Sequence, residues 1–211
     1  MPTHAPRFSL YVGGRINFVG FGGSFLVNDQ GVSETTGRLA GNGAGFQLDL
    51  GARLGKSWIP YGFIEHGLLG KGGHFQGEDS ARSSTTFYGG GLRHVSGNPD
   101  SVGFMQDISI GLRQVRVSRG VTDETFNMKG LEYFRLGLGA EIRIHTRFVL
   151  SPMASISAGA LSDSEGTITY AASPSRIRLG PASGAGVPID SSRPYVVLSI
   201  GCGFHFDLIG D

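Results

Sequence analysis

Residues Tyr195–Leu208 read YVVLSIGCGFHFDL, and this stretch decides the fold class. From Val196 onward every second residue is apolar, while the residues between them are mostly small or polar. A period of two predicts a β-strand with one apolar face. Strands of soluble domains usually run about 5–6 residues, whereas a tilted strand needs about 9–11 to cross a bilayer. The stretch therefore predicts a long strand whose apolar face looks into lipid.

Seven earlier segments share this length and much of this alternation. They are residues 8–18, 44–54, 58–69, 85–94, 104–117, 133–144 and 148–161. The connections between them alternate strictly between long and short, which places all long loops at one end and all short turns at the other. Outer-membrane barrels have this layout. The sequence predicts an all-β fold, an eight-stranded antiparallel up-and-down transmembrane β-barrel formed as a single domain by residues 1–211.

Composition is consistent with this class. The chain has 211 residues, 36 of them Gly, and a formal net charge of +1; charged residues make up 17%, against roughly 25% in a typical soluble domain. There is no apolar run long enough for a membrane helix. There is no polybasic tract either, so we expect no nucleic-acid partner. The lone Cys202 cannot form an intramolecular disulfide, and we expect it on the apolar face. Met1–Arg7 lacks the layout of a secretion signal, which we expect to have been removed.

The alternative fold is a soluble, lipocalin-like barrel that turns its apolar faces inward around a ligand. The charges on the polar faces argue against it, because they carry both signs and can neutralise each other when enclosed. The predicted lumen charge network is Arg15, Asp49, Arg53, Asp107, Arg113, Arg135, Glu141, Arg143 and Asp207. The cleanest apolar faces contain no Lys, Arg, Asp or Glu, as a lipid-facing surface requires.

The inward charges allow two interpretations. Eight strands leave an interior just wide enough to be filled by side chains, so the charges can form a salt-bridged plug. Alternatively, the many inward Gly and Ser residues leave a narrow polar pore for small solutes. Arg outnumbers the acids in the predicted set, so such a pore would favour anions.

This pattern resembles the small outer-membrane β-barrel proteins of Gram-negative bacteria, the OmpA/OmpX-like group. The aromatic-rich final strand, ending Phe204–His205–Phe206, is similar to the C-terminal signal read by the barrel-assembly machinery, although Asp207–Asp211 follow it here. The resemblance implies an outer-membrane location among lipid and lipopolysaccharide. Candidate aromatic residues of the membrane interface are Phe8, Phe18, Phe21, Trp58, Tyr61, Phe148, Tyr195 and Phe206.

Three sets of residues suggest chemistry. His94–Val95–Ser96–Gly97–Asn98 resembles the His-x-Ser-Asn stretch of the lipid A deacylase family, but Gly97 interrupts it and a simple turn explains Gly97–Asp100 as well. A second loop holds His74, Glu78, Asp79 and Ser80, with unspecific spacing. His66 with His74, or His205 with Asp207, lacks a recognised metal-ligand spacing. We therefore predict no enzyme activity, cofactor or metal.

The favoured hypothesis is a non-enzymatic outer-membrane barrel that acts through its surface loops in adhesion, partner binding or envelope structure. Its possible partner is another surface or envelope protein, and trimming Gly166–Ser191 should abolish that interaction without affecting folding. The alternatives are a narrow porin-like channel, a lipid-modifying enzyme and a lipocalin-like ligand binder.

Overall fold

A computed structural model of the chain describes residues 4–27, 33–120, 122–172, 175–179 and 187–210. The elements in chain order are β1 (Phe8–Val27), β2 (Ser33–Thr35), α1 (Thr36–Leu39), β3 (Ala40–Leu54), β4 (Trp58–Lys71), a 3-10 helix (Gly73–Phe75), β5 (Ala81–Gly97), β6 (Val102–Arg119), β7 (Glu124–His145), β8 (Phe148–Gly166), β9 (Ile168–Ala172), β10 (Ser175–Leu179) and β11 (Val187–Gly210). The described part contains no helix that could span a membrane.

Eight strands close into a barrel. β1 and β3 through β8 pair with their neighbours in antiparallel order, and β11 pairs with both β8 and β1. All eight predicted strands are confirmed. β2 is a short extension on β1, and β9 with β10 forms a separate two-stranded sheet. Closure leaves the barrel without unpaired strand edges, which suits a wall surrounded by lipid.

The apolar side chains point outward, as the sequence predicts. Ile16, Leu68 and Ile200 are 63%, 69% and 63% exposed, and Cys202 lies on the same outer surface. The charged side chains of the opposite faces are buried inside the barrel. The lipocalin-like alternative is therefore wrong, because the apolar faces do not enclose a ligand cavity but form an outer belt.

The two ends of the barrel differ. Residues 55–57, 98–101 and 146–147 make the three connections at one end, called here the turn end. At the opposite loop end the strands run further than predicted. Only residues 120–123 separate β6 from β7, so this connection is much shorter than the interval between the predicted strands 104–117 and 133–144, and the expected longer loop there is wrong. Pairing continues there to Arg119 opposite Glu124.

A β-bulge in β7 shifts the inside–outside alternation of its side chains by one residue. Glu132 pairs with Gly159 and Phe134 with the adjacent Ala158, which leaves Tyr133 as an extra residue. Tyr133 and Phe134 both point outward, and Glu132 turns into the barrel. The strict alternation predicted Tyr133 on the inner face, which is wrong because a bulge shifts the period of two by one residue.

Glycines in the strands allow neighbouring backbones to approach closely. A Cβ on Gly201 would lie 2.1 Å from the Ile16 carbonyl oxygen, and one on Gly139 would lie 2.3 Å from that of Pro152. These distances leave no room for a side chain. The Gly-x-Gly patterns of β7 and β11 therefore serve packing of the barrel wall.

The predicted interface aromatics divide into two groups. Phe8, Phe18, Trp58 and Phe206 are exposed on the outer wall, and Phe148 is half-buried. The prediction is wrong for the other three: Tyr61 and Tyr195 are buried in the lumen, and Phe21 packs against an interior apolar cluster. Their strands carry these rings on the inner face, where the Phe21 ring lies 5.4 Å from the Arg113 guanidinium carbon and the two tyrosines find the charged partners described below.

Candidate functional site: the ion-paired lumen

The lumen of the barrel holds a balanced set of buried charges. Within the part of the chain whose side chains are described, the buried charged residues are Arg15, Arg53, Arg93, Arg113, Arg135 and Arg143, with Asp49, Glu65, Asp107, Glu132, Glu141 and Asp207. The arginines equal the acids in number. The expected excess of Arg is therefore wrong. Without that excess, the lumen charges give no electrostatic reason to expect anion selectivity.

The first layer of ion pairs lies at the turn end. Arg53 donates to both oxygens of Glu141, at 2.9 and 3.0 Å, and its Nε lies 3.2 Å from Asp207 Oδ1. Arg143 completes the ring, 3.2 Å from Glu141 and 3.1 Å from Asp207. These four residues come from β3, β7 and β11, so the layer joins separate parts of the wall.

His205 belongs to the same layer as a neutral side chain. Its Nε2 lies 3.1 Å from an Arg53 nitrogen, and its Nδ1 lies 3.4 Å from Ser151 Oγ. A guanidinium can only donate, so Nε2 accepts and the ring proton sits on Nδ1. His205 and Asp207 belong to no group of three or more potential metal ligands among the described residues.

The middle layer is centred on Arg93. Its guanidinium lies 2.9 Å from Asp107 and 3.3 Å from Asp49, and it contacts the Tyr11 hydroxyl. Tyr61 donates to Asp107 at 2.7 Å, and its ring lies 4.7 Å from the Arg93 guanidinium carbon. The guanidinium is thus enclosed by two carboxylates and two phenol rings.

The upper layer pairs Arg135 and Arg113 with Glu65 and Glu132. Arg135 reaches both oxygens of Glu65, at 3.0 and 3.2 Å, while Arg113 Nε donates to Glu132. The ring of Phe87 lies 4.3 Å from the Arg135 guanidinium carbon and 4.6 Å from that of Arg113. Tyr195 also donates to Glu132, at 3.3 Å.

Apolar side chains fill the interior above these layers, toward the loop end. The buried members of this apolar plug are Val19, Leu39, Phe75, Ala81, Val115, Val117, Phe126, Met128, Leu161, Ile168, Tyr195 and Val197. Leu39 comes from α1 and Phe75 from the 3-10 helix, so two of the connecting segments contribute side chains to the plug. The described lumen is therefore occupied by layered ion pairs below and apolar packing above.

All nine charges of the predicted network lie inside the barrel, and eight of them join these layers. Arg15 differs, because its buried Nε has no hydrogen-bond partner in the described part of the chain. The prediction missed Glu65, Arg93 and Glu132. Pro60 and Gly62 obscure the alternation around Glu65, and the bulge at Tyr133 conceals Glu132. Arg93 could have been predicted from the period of two, because it lies two residues after Gly91 and therefore shares its inner face.

The candidate catalytic pair at the turn end is not assembled. His94 and Ser96 lie on the outer side of β5, where the His94 ring packs against Trp58 in a tilted arrangement with centroids 4.3 Å apart. Ser96 Oγ donates to the Phe104 carbonyl at 3.3 Å. Among the described residues no hydrogen bond joins His94 to Ser96 or to a carboxylate. A nucleophile needs an oriented base, and this arrangement does not provide one.

The second loop likewise separates its candidate groups. Glu78 forms a bidentate pair with Arg119, at 2.5 and 2.7 Å, and Asp79 pairs with Lys71 at 3.1 Å. His66 faces outward from β4 and lies 3.1 Å from Thr86 Oγ1. No group of three or more His, Cys, Asp or Glu residues in the described ranges is placed to hold a metal.

Comparisons with known proteins agree with this geometry. No family model matches the chain, and no curated protein matches it. Among solved structures, Neisserial surface protein A superposes with a TM-score of 0.58 at 10% identity, covering 95% of this chain and 99% of that one. Outer membrane protein AlkL, solved in lipid bilayers, gives 0.54 at 11% identity and covers 100% and 96%. The chain has the fold of a small outer-membrane β-barrel. At these identities the likeness concerns the fold alone.

Proposed function

We propose that this barrel is an integral outer-membrane protein without catalytic activity, and that it acts through its loop end in adhesion, partner binding or envelope structure. The observation that carries the proposal is the occupied lumen. Three layers of ion pairs and the apolar plug leave the loop-end surface as the part available to partners. A solute channel, the alternative function, would require this packing to open.

The outer wall supports membrane residence. A belt of exposed apolar side chains surrounds the barrel, with Phe8, Trp58 and Phe206 near the turn end. Aromatic side chains favour the membrane–water interface. The surrounding outer-leaflet lipid, including lipopolysaccharide, is then the first partner of the protein. We propose further that the barrel-assembly machinery recognises the final strand through Phe204 and Phe206, whose side chains face outward.

The loop end offers one segment that can be removed cleanly. β9 and β10 form their own sheet, and their base is fixed by Ile168 in the apolar plug and by Thr169, whose carbonyl accepts from Arg119 at 2.8 Å. The expected trimming of Gly166–Ser191 would cut too far, because Val187 pairs with Ser164 of the barrel wall. It also includes residues 173–174 and 180–186, which lie outside the described residues. Replacing residues 170–186 retains the described anchors.

The test compares cells displaying the full chain with cells displaying a variant in which a short Gly/Ser linker replaces residues 170–186. We expect both to fold, as judged by the heat-dependent gel shift typical of closed barrels. Attachment to immobilised matrix glycoproteins, or cross-linking to envelope proteins, should occur with the full chain and be lost in the variant. Equal attachment and cross-linking by both proteins would overturn the proposed role of this segment.

A further inference from the structure

A basic patch lies on the outer wall near the loop end. It consists of Arg82 on β5, Arg116 on β6 and Lys129 on β7, and all three side chains are exposed. Arg116 pairs with Ser84, two residues from Arg82, and with Asn127, two residues from Lys129. Diagonal neighbours in a sheet lie about 7–8 Å apart, so the three cations can approach a single ligand.

The basic patch is adjacent to the apolar belt. On the same three strands, the side chains toward the membrane are Tyr88, Leu112, Leu131 and Tyr133, all 40–52% exposed on the outer wall. Arg116 follows Leu112 by four positions, which is about 13 Å along a strand and less in height once the strand tilts. At a tilt of about 40° Arg116 lies roughly 10 Å above Leu112, in or just beyond the headgroup layer that borders the hydrocarbon core.

A surface groove of about 380 Å³ runs beside the patch. Arg82 and Arg116 line it, together with the hydroxyl residues Ser80, Ser118 and Thr125. Cations and hydroxyl donors in one groove are the groups that recognise phosphate oxygens. The groove is therefore chemically suited to an anion.

The other charges of the groove are engaged or lie farther from the membrane. Arg119 is held by Glu78, and Glu124 lies 3.8 Å from Arg119. Asp123 lies in the connection from β6 to β7, beyond the basic patch. Within the described chain, Arg82 and Arg116 form no ion pair. Lys129 lies 3.4 Å from Glu165, but both side chains are 54% exposed, and such surface pairs are weak.

We propose that the basic patch binds the phosphate groups of an outer-leaflet lipid, a phosphorylated glycolipid of the lipopolysaccharide class. The guanidinium groups of Arg82 and Arg116 bind phosphate oxygens through paired N–H donors, and the acyl chains lie on the apolar belt below. Charge complementarity favours this occupant over a zwitterionic lipid. The inference rests on the proposed membrane residence of the barrel.

The test uses the full chain folded into phosphatidylcholine vesicles with or without lipid A. After mild detergent extraction, native mass spectrometry measures the fraction of barrels that retain lipid A. The variant Arg82→Gln/Arg116→Gln removes two charges of the patch, and Arg7→Gln/Arg147→Gln removes two exposed charges near the turn end as a matched control. Arg82→Lys/Arg116→Lys keeps the charge without the guanidinium fork. Gel mobility verifies that every variant is folded.

We expect the wild type and the control to retain lipid A, and the double Gln variant to lose at least about tenfold in affinity. The double Lys variant should fall between them, because Lys binds phosphate as a point charge. Equal retention by the wild type and the double Gln variant would overturn the inference, as would full displacement by inorganic phosphate, which would indicate a site for a soluble anion. If the wild type failed to fold into either kind of vesicle, the proposed membrane residence itself would be wrong.

Discussion

Arg135 on β7 donates to both carboxylate oxygens of Glu65 on β4, so this ion pair crosses the lumen and joins strands that are not neighbours in the sheet. Both side chains are at most 4% exposed. Removing one partner of such a pair leaves the other charge unpaired in a region that water scarcely reaches. The barrel wall is thus tied together through its interior as well as around its circumference.

We expect Arg135→Met to destabilise the folded barrel by about 3–5 kcal/mol, because it leaves Glu65 buried with one fewer partner. The double variant Arg135→Met/Glu65→Leu should recover much of this loss, since apolar side chains can replace a buried pair. Urea unfolding in vesicles, followed by the fluorescence of the single Trp, Trp58, measures both. Arg147→Met, at an exposed position, is the control. A single variant as stable as the wild type would contradict the importance of the pair.

The layered lumen also predicts electrical silence. Planar bilayers containing the wild-type barrel should show no discrete conductance under conditions in which an open porin conducts. Arg135→Ser should remain silent too, because the middle and turn-end layers still fill the lumen. Discrete wild-type currents that change in Arg135→Ser or Arg113→Ser would support the channel hypothesis instead.

The bulge at Tyr133 allows a test of what determines the inward or outward orientation of side chains in β7. Deleting Tyr133 removes the extra residue and leaves Glu132, Phe134 and Arg135 in regular alternation, with both charges still inside and the pairing with Gly159 and Ala158 uninterrupted. We expect the heat-modifiable folded band to persist in refolding experiments. Tyr133→Phe retains the bulge and the outward ring, and it should change stability by no more than about 0.5 kcal/mol. Loss of the folded band in the deletion variant would show that the barrel needs the bulge itself, and not only the inward facing of Glu132.

The strands were predictable because a bilayer imposes both a minimum length and an alternating polarity on each strand that crosses it. Eight long alternating segments appear wherever the outer face must be apolar and the inner face polar, and this constraint is visible without any tertiary information. The strand ends were less predictable. Beyond the apolar belt, the outer face of β6 becomes polar, with Gln114 and Arg116 following Leu112. With a polar outer face the sequence there resembles a loop, although the strand pairing continues to Arg119.

The partners of the lumen charges were not predictable. Alternation assigns Arg135 to the inside, but its pairing with Glu65 depends on which strands face each other across the barrel, a property of closure rather than of any one strand. Glu132 shows a second limit, since a single inserted residue reverses the facing and leaves little trace in composition. Tyr61 was assigned to the interface because an aromatic near a strand end suits either surface.

Asp100, in the turn after β5, fastens the N-terminal segment to the turn end. Its carboxylate accepts from the Ala5 backbone N–H at 2.7 Å and from Lys56 Nζ at 3.3 Å, and it lies 3.5 Å from His4 Nδ1. The Ala5 hydrogen bond, with help from Lys56, holds the pKa of the Asp100 carboxyl below its ordinary value. The charged form is therefore favoured when the segment is docked.

The sign of this shift fixes the pH dependence. A lowered folded-state pKa contributes stability that is fully present above the ordinary Asp pKa of about 3.9 and is lost as the pH falls through the lowered value. We expect the NMR shift of the Ala5 amide proton to stay constant at neutral pH and to titrate only below that ordinary value. Asp100→Asn should abolish the titration and weaken docking at every pH, whereas Asp79→Asn, at an exposed site in another loop, should leave it unchanged. A midpoint at or above the ordinary Asp value would mean that the carboxylate does not hold the segment, because an anchored charge must resist protonation more strongly than a free one.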